Sequence, residues 1–457
     1  MQLILLFLFC FLGIVLNADV PIALTNLSDL IVIGIGLGVL VLSKFITNFF
    51  LNGESDKEKY VLKIFYVSFI ISLLFLKFCW SPFLLPSSEN WGFDPQRYYI
   101  YAIQVVKNGY FDGWVGSGFD GIVYFYAFLF KLVGYHPLIP LYLNVLLSLL
   151  SVLMLYSIFR KSLGNNVKYV SLLLLIPELL YYNVMSAKDT LSQFSLVFIF
   201  YFFYRMYWLN KRKAMLPLIL SLFFLMFLRL PYGFTAMLVL MIYITFFTNR
   251  FSKATKMCII FIFIPIAIWG LNLASAFSSN DSFQEDLGTR IESYTSGSIN
   301  AIEHGSAIAS YLTPHNSVEV IIFGFIRSIV YLFPEGHCSF FDKYQLSTFG
   351  SLTQLISGIM SAVFIGVACL YTKYVFCFKQ NKGIVLFLIC SLFLLLISFS
   401  TPNFIHQRYR ISIDYFYYLM IILAFSQIGK IKCLKMVKCY IFSLSCLFFI
   451  YSIVKLF

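Results

Sequence analysis

The sequence predicts an all-α, polytopic helical membrane protein with about thirteen transmembrane helices and interfacial helices in its outer loops. Three observations lead there. Of the 457 residues, 60% are hydrophobic and 12% charged, where an ordinary soluble domain carries roughly 25% charged residues. Apolar runs of about 18 residues or more recur along the chain, each long enough to cross roughly 30 Å of hydrocarbon. Basic residues gather in the short connections between those runs, at Lys57, Lys59 and Lys63, at Arg160, Lys161 and Lys168, and at Arg205, Lys211, Arg212 and Lys213. The pattern continues at Arg250, Lys253 and Lys256, at Lys373, Lys379 and Lys382, and at Lys430, Lys432, Lys435 and Lys438. That is the positive-inside distribution, which sets these loops in the cytoplasm. A transmembrane β-barrel would instead show short alternating segments.

The net charge of +13 is therefore topological. Its placement points to a lipid bilayer as partner and argues against nucleic acid. The ten cysteines are scattered through apolar runs and turns without CxxC spacing, and read as small hydrophobes. Cys338 alone falls in a long polar loop. The opening stretch MQLILLFLFCFLGIVLNADV lacks the basic n-region of a secretory signal and reads as a first membrane helix.

With basic loops held inside, the elements follow in order across a single membrane domain, 1–457. Spans near 2–17, 28–50 and 62–80 lead to a first outer loop, 81–137. Within it, 95–108 reads as a surface helix: Asp94 suits an N-cap, Pro95 a first turn, and Ile100, Ile103, Val106 and the tyrosines form an apolar stripe. The run IVYFYAFLFKLVGYHP also reads as interfacial, because counting it as a crossing would put Arg160 and Lys161 outside. Spans near 138–159, 168–186, 190–208, 215–229, 234–248 and 257–277 come next. The large outer loop 278–350 holds one more surface helix, VEVIIFGFIRSIVYLFPEGH. Spans at 351–372, 384–400, 411–428 and 437–456 finish the chain.

Acids and arginines then collect at the outer face. Ionisable groups near membrane depth are expensive and read first as functional. One cluster is Asp94 with Arg97 and Tyr98, followed by Asp112 and Asp120 in Asp-Gly pairs that also suit turns. A second is Lys188 and Asp189 at a hairpin tip, which either pair with each other or face a ligand. Arg229 in FLRLPYG either snorkels to headgroups or binds. The fourth is HQRYRISIDY, in which His406, Arg408 and Arg410 sit at the mouth of a span and Asp414 one turn inside it. Extended backbone before the span would let both arginines approach one anion, and arginine suits bidentate phosphate contacts. Arg327, Glu335 and His337 lie in and around the third surface helix. A carboxylate that deprotonates a sugar hydroxyl, with arginines that steady a departing phosphate, fits a lipid-phosphate sugar donor. The GSG in the first loop follows no strand and is not a nucleotide signature.

FDPQRYYIYA just after a span, followed by two interfacial helices, resembles the GT-C superfamily of polytopic glycosyltransferases. IPELLYYNVMSAKDTLSQFSLVFIFYFFY and HQRYRISIDYFYYLMIILA are similar to segments of bacterial membrane proteins from polysaccharide clusters. The resemblance covers residues 62–210 closely and 320–430 loosely. It implies a polyprenyl-phosphate or -diphosphate donor, an acceptor glycan, a periplasmic active face in the bacterial inner membrane, and Asp94 as the catalytic base. Many members carry a second acid directly beside the first, whereas Pro95 and Gln96 follow Asp94 here. A divalent cation, Mg2+ or Mn2+, is thereby left open, and no other cofactor is expected. More than one span precedes the loop, where many members have one. The same composition and loop layout fit the O-antigen polymerase type, whose donor is a whole repeat unit. A flippase for the lipid-linked saccharide is a third reading, against which stand the absence of an internal repeat and the charges at the outer mouth.

Overall fold

The computed structural model describes residues 2–16, 20, 22–51, 54–76, 94–111, 120–186, 188–249, 317–330, 382–400 and 410–428, with a few isolated positions elsewhere. The described residues are all-α: thirteen α-helices and three stretches of 3-10 helix. Among the described residues, two helices, Asp29–Leu51 and Leu138–Leu175, are long and apolar enough to cross a membrane. The expected spans at 257–277, 351–372 and 437–456 lie outside the described residues, as does most of the loop 278–350. The chain divides into two compact units, one of Met1–Arg229 with residues 340–354, the other of Leu230–Ser339 with Leu355–Phe457.

The first unit contains α1 (Gln2–Leu16), α2 (Asp29–Leu51), α3 (Ser55–Phe75), α4 (Asp94–Asn108) and α5 (Asp120–Val133). It continues with α6 (Leu138–Leu163), α7 (Pro177–Asn183), α8 (Lys188–Tyr207) and α9 (Met215–Leu228). Its core is built from aromatic contacts. Phe7 and Phe11 of α1 meet Phe69 of α3 at 5.3 and 6.1 Å, and Tyr142 of α6 stands edge-on to Phe69 at 5.9 Å. Rings in such tilted and edge-to-face pairs gain beyond their buried area.

The expected single helix over 168–186 is instead broken. Gly164 ends α6 at φ +53°, a left-handed turn that suits glycine. A 3-10 stretch, Gly164–Leu175, returns along α6. It stops at Ile176, whose extended backbone precedes Pro177. Proline disfavours the α conformation in the residue before it, so the chain restarts there as the short α7. The return is antiparallel, since Asn144 early in α6 meets Asn183 at the end of α7. The helices α8 and α9 likewise run antiparallel, with Asp189 opposite Arg229.

The second unit contains α10 (Leu230–Phe246), α11 (Ser317–Val330), α12 (Lys382–Ser400) and α13 (Ile411–Ile428). The middle of these, α12, packs against the other three. Tyr232 of α10 lies edge-on to Phe393 of α12 at 5.1 Å. The span expected at 234–248 starts earlier than its sequence suggested: only Arg229, in extended backbone, separates Leu228 from Leu230.

Candidate functional site

The first unit has two chemically different ends. One is basic and holds the α2–α3 connection and the close of α6. There Glu54 pairs with Arg160, with Lys57 at 2.8 Å, and accepts a bond from the Tyr156 hydroxyl at 3.2 Å. Phe50 against Tyr201 and Phe159 against Phe200 bring the close of α8 to the same end, with its Arg205.

The other end carries the buried polar groups. Asn183 is the hub. Its side-chain oxygen accepts from Ser148 and Thr190, both at 3.2 Å, and its backbone carbonyl accepts from Asn144 at 3.0 Å. The second amide hydrogen of Asn144 goes to the Met185 carbonyl at 2.9 Å. These bonds satisfy backbone carbonyls that the α7–α8 turn would otherwise bury unpaired. Beside them Asp189, wholly buried, forms an ion pair with Arg229, itself 7% exposed. The sequence left Asp189 two roles, and a guanidinium partner resolves its charge. Lys188 opens the same helix, half-buried.

The surface helices lie at this polar end. They form an antiparallel hairpin, with Tyr99 against Phe130 at 5.2 Å and Phe111 against Tyr124 at 6.0 Å. The start of α4 is tied to the chain before α2. Tyr99 donates to the Leu24 carbonyl at 2.7 Å, and the Asn26 side chain accepts from the Tyr135 backbone N–H at 2.7 Å. Burial holds the Tyr99 phenol well above its usual range. His136 caps the start of α6, its Nδ1 accepting from the Leu138 N–H at 3.1 Å, and burial lowers it to about 4 against the pull of Asp29.

The start of α5 is seated differently. A Cβ on Gly121 would stand 2.2 Å from the Phe227 carbonyl oxygen, so only glycine allows this approach to the end of α9. Asp120 therefore begins α5 beside the close of α9, where Phe227 stands two residues before Arg229. Asp94 begins α4 at the far end of the hairpin, about 20 Å away by the length of a helix of this size. Of the first cluster, Tyr98 is buried, and the half-buried Arg97 carries an Nε that makes no hydrogen bond.

In the second unit the two predicted arginines that are described are both wholly buried. Arg327 Nε donates to the Ser398 carbonyl at 3.2 Å, near the end of α12. Arg410 Nε donates to Asp414 Oδ1 at 2.9 Å, and its guanidinium lies 5.7 Å from the Tyr417 ring centre. Ser398 and Arg410 flank the α12–α13 connection, so both guanidiniums reach the same end of this unit. Asp112, His337, His406 and Arg408 lie outside the described residues. Among the described residues, no group of three or more His, Cys, Asp or Glu is placed to hold a metal ion.

Sequence reasoning missed Tyr126, Asn144 and Asn183. A signal existed: Asn144 is a lone amide inside LYLNVLLSLL, and a polar group at that depth needs partners. No protein-family model, no curated protein and no solved structure matches this chain.

Proposed function

We propose that this chain is a polytopic glycosyltransferase of the bacterial inner membrane. It moves a sugar or oligosaccharide from a polyprenyl-(di)phosphate carrier to an acceptor glycan on the periplasmic face, in surface-polysaccharide assembly. The carrying observation is the polarity of the first unit, with lysines and arginines at one end, and buried acid, amide and guanidinium beneath two surface helices at the other. The positive-inside rule then turns the second end outward. Apolar faces agree with lipid contact: Ile31, Val41, Leu42, Phe45 and Phe49 on α2, and Leu216, Leu220, Phe223 and Phe227 on α9, are exposed. Such continuous apolar surface fits a hydrocarbon solvent better than water.

In the reaction the acceptor oxygen bonds the sugar's anomeric carbon as the carbon–oxygen bond to phosphate breaks. The phosphate leaves with the electron pair, and the hydroxyl proton passes to a carboxylate. Each unit by itself offers arginines whose charge suits a phosphate, Arg229 in the first and Arg327 and Arg410, with Arg408, in the second. The resemblance assigns the base to Asp94; Asp189 is the acid set beside a guanidinium.

The test is a surface-polysaccharide gel from cells lacking the gene, rescued with wild type, Asp94→Asn, Asp189→Asn or Arg410→Ala. Loss or shortening of repeat-bearing bands, restored by wild type and not by a base variant, supports transfer. One retained repeat without a ladder specifies a repeat-unit polymerase. Complete lipid-linked repeat trapped on the cytoplasmic face would identify a flippase instead, and an unchanged ladder would end the proposal.

A further inference from the structure

The turn between α8 and α9, at the basic end of the first unit, presents three consecutive cations, Lys211, Arg212 and Lys213, all exposed. Its backbone holds it in one shape. The Trp208 and Leu209 N–H groups both donate to the Tyr204 carbonyl, at 2.9 and 3.3 Å, and the Lys211 N–H donates to the Arg205 carbonyl at 3.0 Å. The Ala214 N–H closes the turn on the Lys211 carbonyl at 2.9 Å. Asn210 reverses the chain at φ +54°, a left-handed conformation that asparagine tolerates better than most side chains.

The charge of this turn has no counterpart along the neighbouring chain. No Asp or Glu occurs from Thr190 to Leu228. Among the described residues none of the three cations is in an ion pair, and Glu54 at the same end is taken by Arg160 and Lys57. Adjacent like charges repel, and an anion set among them relieves that cost. Apolar surface begins directly beside the cations. Met215, Leu216, Ile219, Leu220, Phe223 and Phe227 are exposed and form one stripe down α9. Trp208 lies against the Phe203, Tyr204 and Tyr207 rings at 5.6, 5.8 and 5.0 Å, a grouping suited to headgroup level.

A soluble phosphate would use the cations and leave the stripe uncovered. A zwitterionic lipid would cover the stripe and bring a positive group to the cations. We propose that the Lys211–Lys213 turn and the α9 stripe form a docking surface for an anionic phospholipid of the inner leaflet, with its phosphodiester on the turn and an acyl chain along α9. This needs the chain to lie in a membrane, and does not need it to transfer a sugar.

The test is native mass spectrometry of the full-length protein in detergent, with dioleoyl-phosphatidylglycerol or dioleoyl-phosphatidylcholine added. The wild type is expected to retain the anionic lipid in preference to the zwitterionic one, which has the same chains. Lys211→Gln/Arg212→Gln is expected to weaken phosphatidylglycerol binding about twentyfold, the scale of two cations at an anionic surface, and to leave phosphatidylcholine unchanged. Lys59→Gln/Lys161→Gln removes the same charge from exposed positions on α3 and α6 and is expected to stay within about twofold. An equal loss in that control would assign the attraction to the basic end at large and overturn the site. Equal retention of the two lipids by wild type would also overturn it, as would displacement of phosphatidylglycerol by sn-glycerol 3-phosphate. Both of these are read on wild type, so they decide even where the turn variant unfolds. A wild-type protein that stays dispersed after detergent is removed would contradict the membrane itself, which is told apart from a lipid site that merely fails to discriminate.

Discussion

Asp189 and Arg229, 40 residues apart in sequence, form a buried ion pair that joins the start of α8 to the close of α9. Removing one member of such a pair strands the other's charge away from water. Asp189→Asn is expected to cost about 3–5 kcal/mol, and the double variant Asp189→Asn/Arg229→Gln distinctly less than the sum of the singles. Chemical denaturation of the four proteins in detergent gives the cycle. Additive losses below about 1 kcal/mol each, the scale of surface pairs, would mean that the pair is solvated.

Gly121 is the hinge on which α5 meets the end of α9. Alanine there meets a backbone carbonyl that no rotamer change can move, so α5 must shift. Gly121→Ala is expected to lose about 1–3 kcal/mol of stability, the scale of an overpacked core, and most of the transfer activity. Leu132→Ala on the exposed face of the same helix is expected to change stability by less than about 0.5 kcal/mol. Equal effects at the two positions would contradict the seating.

His136 makes stability depend on pH. Burial lowers its pKa from the ordinary 6.5 to about 4, so the unfolded chain binds more protons between those values. Its contribution is complete above about pH 6.5 and is lost as pH falls toward 4, by up to roughly 3 kcal/mol. Protonation would also silence the Nδ1 acceptor at the start of α6. His136→Asn, which can still cap without titrating, is expected to flatten the unfolding midpoint between pH 7 and 4.5. A variant as acid-sensitive as wild type would place the sensitivity elsewhere.

In the second unit, Arg410 uses its planar guanidinium for Asp414 and for the Tyr417 ring together. Lysine keeps the charge and forfeits both geometries. Arg410→Lys is therefore expected to lower the unfolding midpoint and reduce ladder formation about as strongly as Arg410→Ala. Full activity with lysine would reduce the role of Arg410 to its charge.

Much of the fold was readable because it rests on local rules. Apolar runs and basic connections located α2, α6 and α8, and Asp94-Pro95 placed the start of α4. The break at Ile176–Pro177 was written in the sequence too, but the apolar run continues through it and hid the change from 3-10 to α-helix. The site was less readable for a different reason. Asp189 and Arg229 stood out as charges in grease, yet nothing in their spacing says that they touch, since the contact depends on the antiparallel return of α9. Tyr126 was invisible among many tyrosines; only its burial opposite Asn144 sets it apart.

The central claim is that the end carrying Asp189 and Arg229 faces outward. Cysteines placed at exposed Tyr110, beyond the close of α4, and at exposed Lys161, at the basic end, report it directly. In intact spheroplasts a membrane-impermeant maleimide is expected to label Tyr110→Cys above the wild-type background and to spare Lys161→Cys until the membrane is opened. The reverse pattern would put the polar end in the cytoplasm and contradict transfer on the outer face.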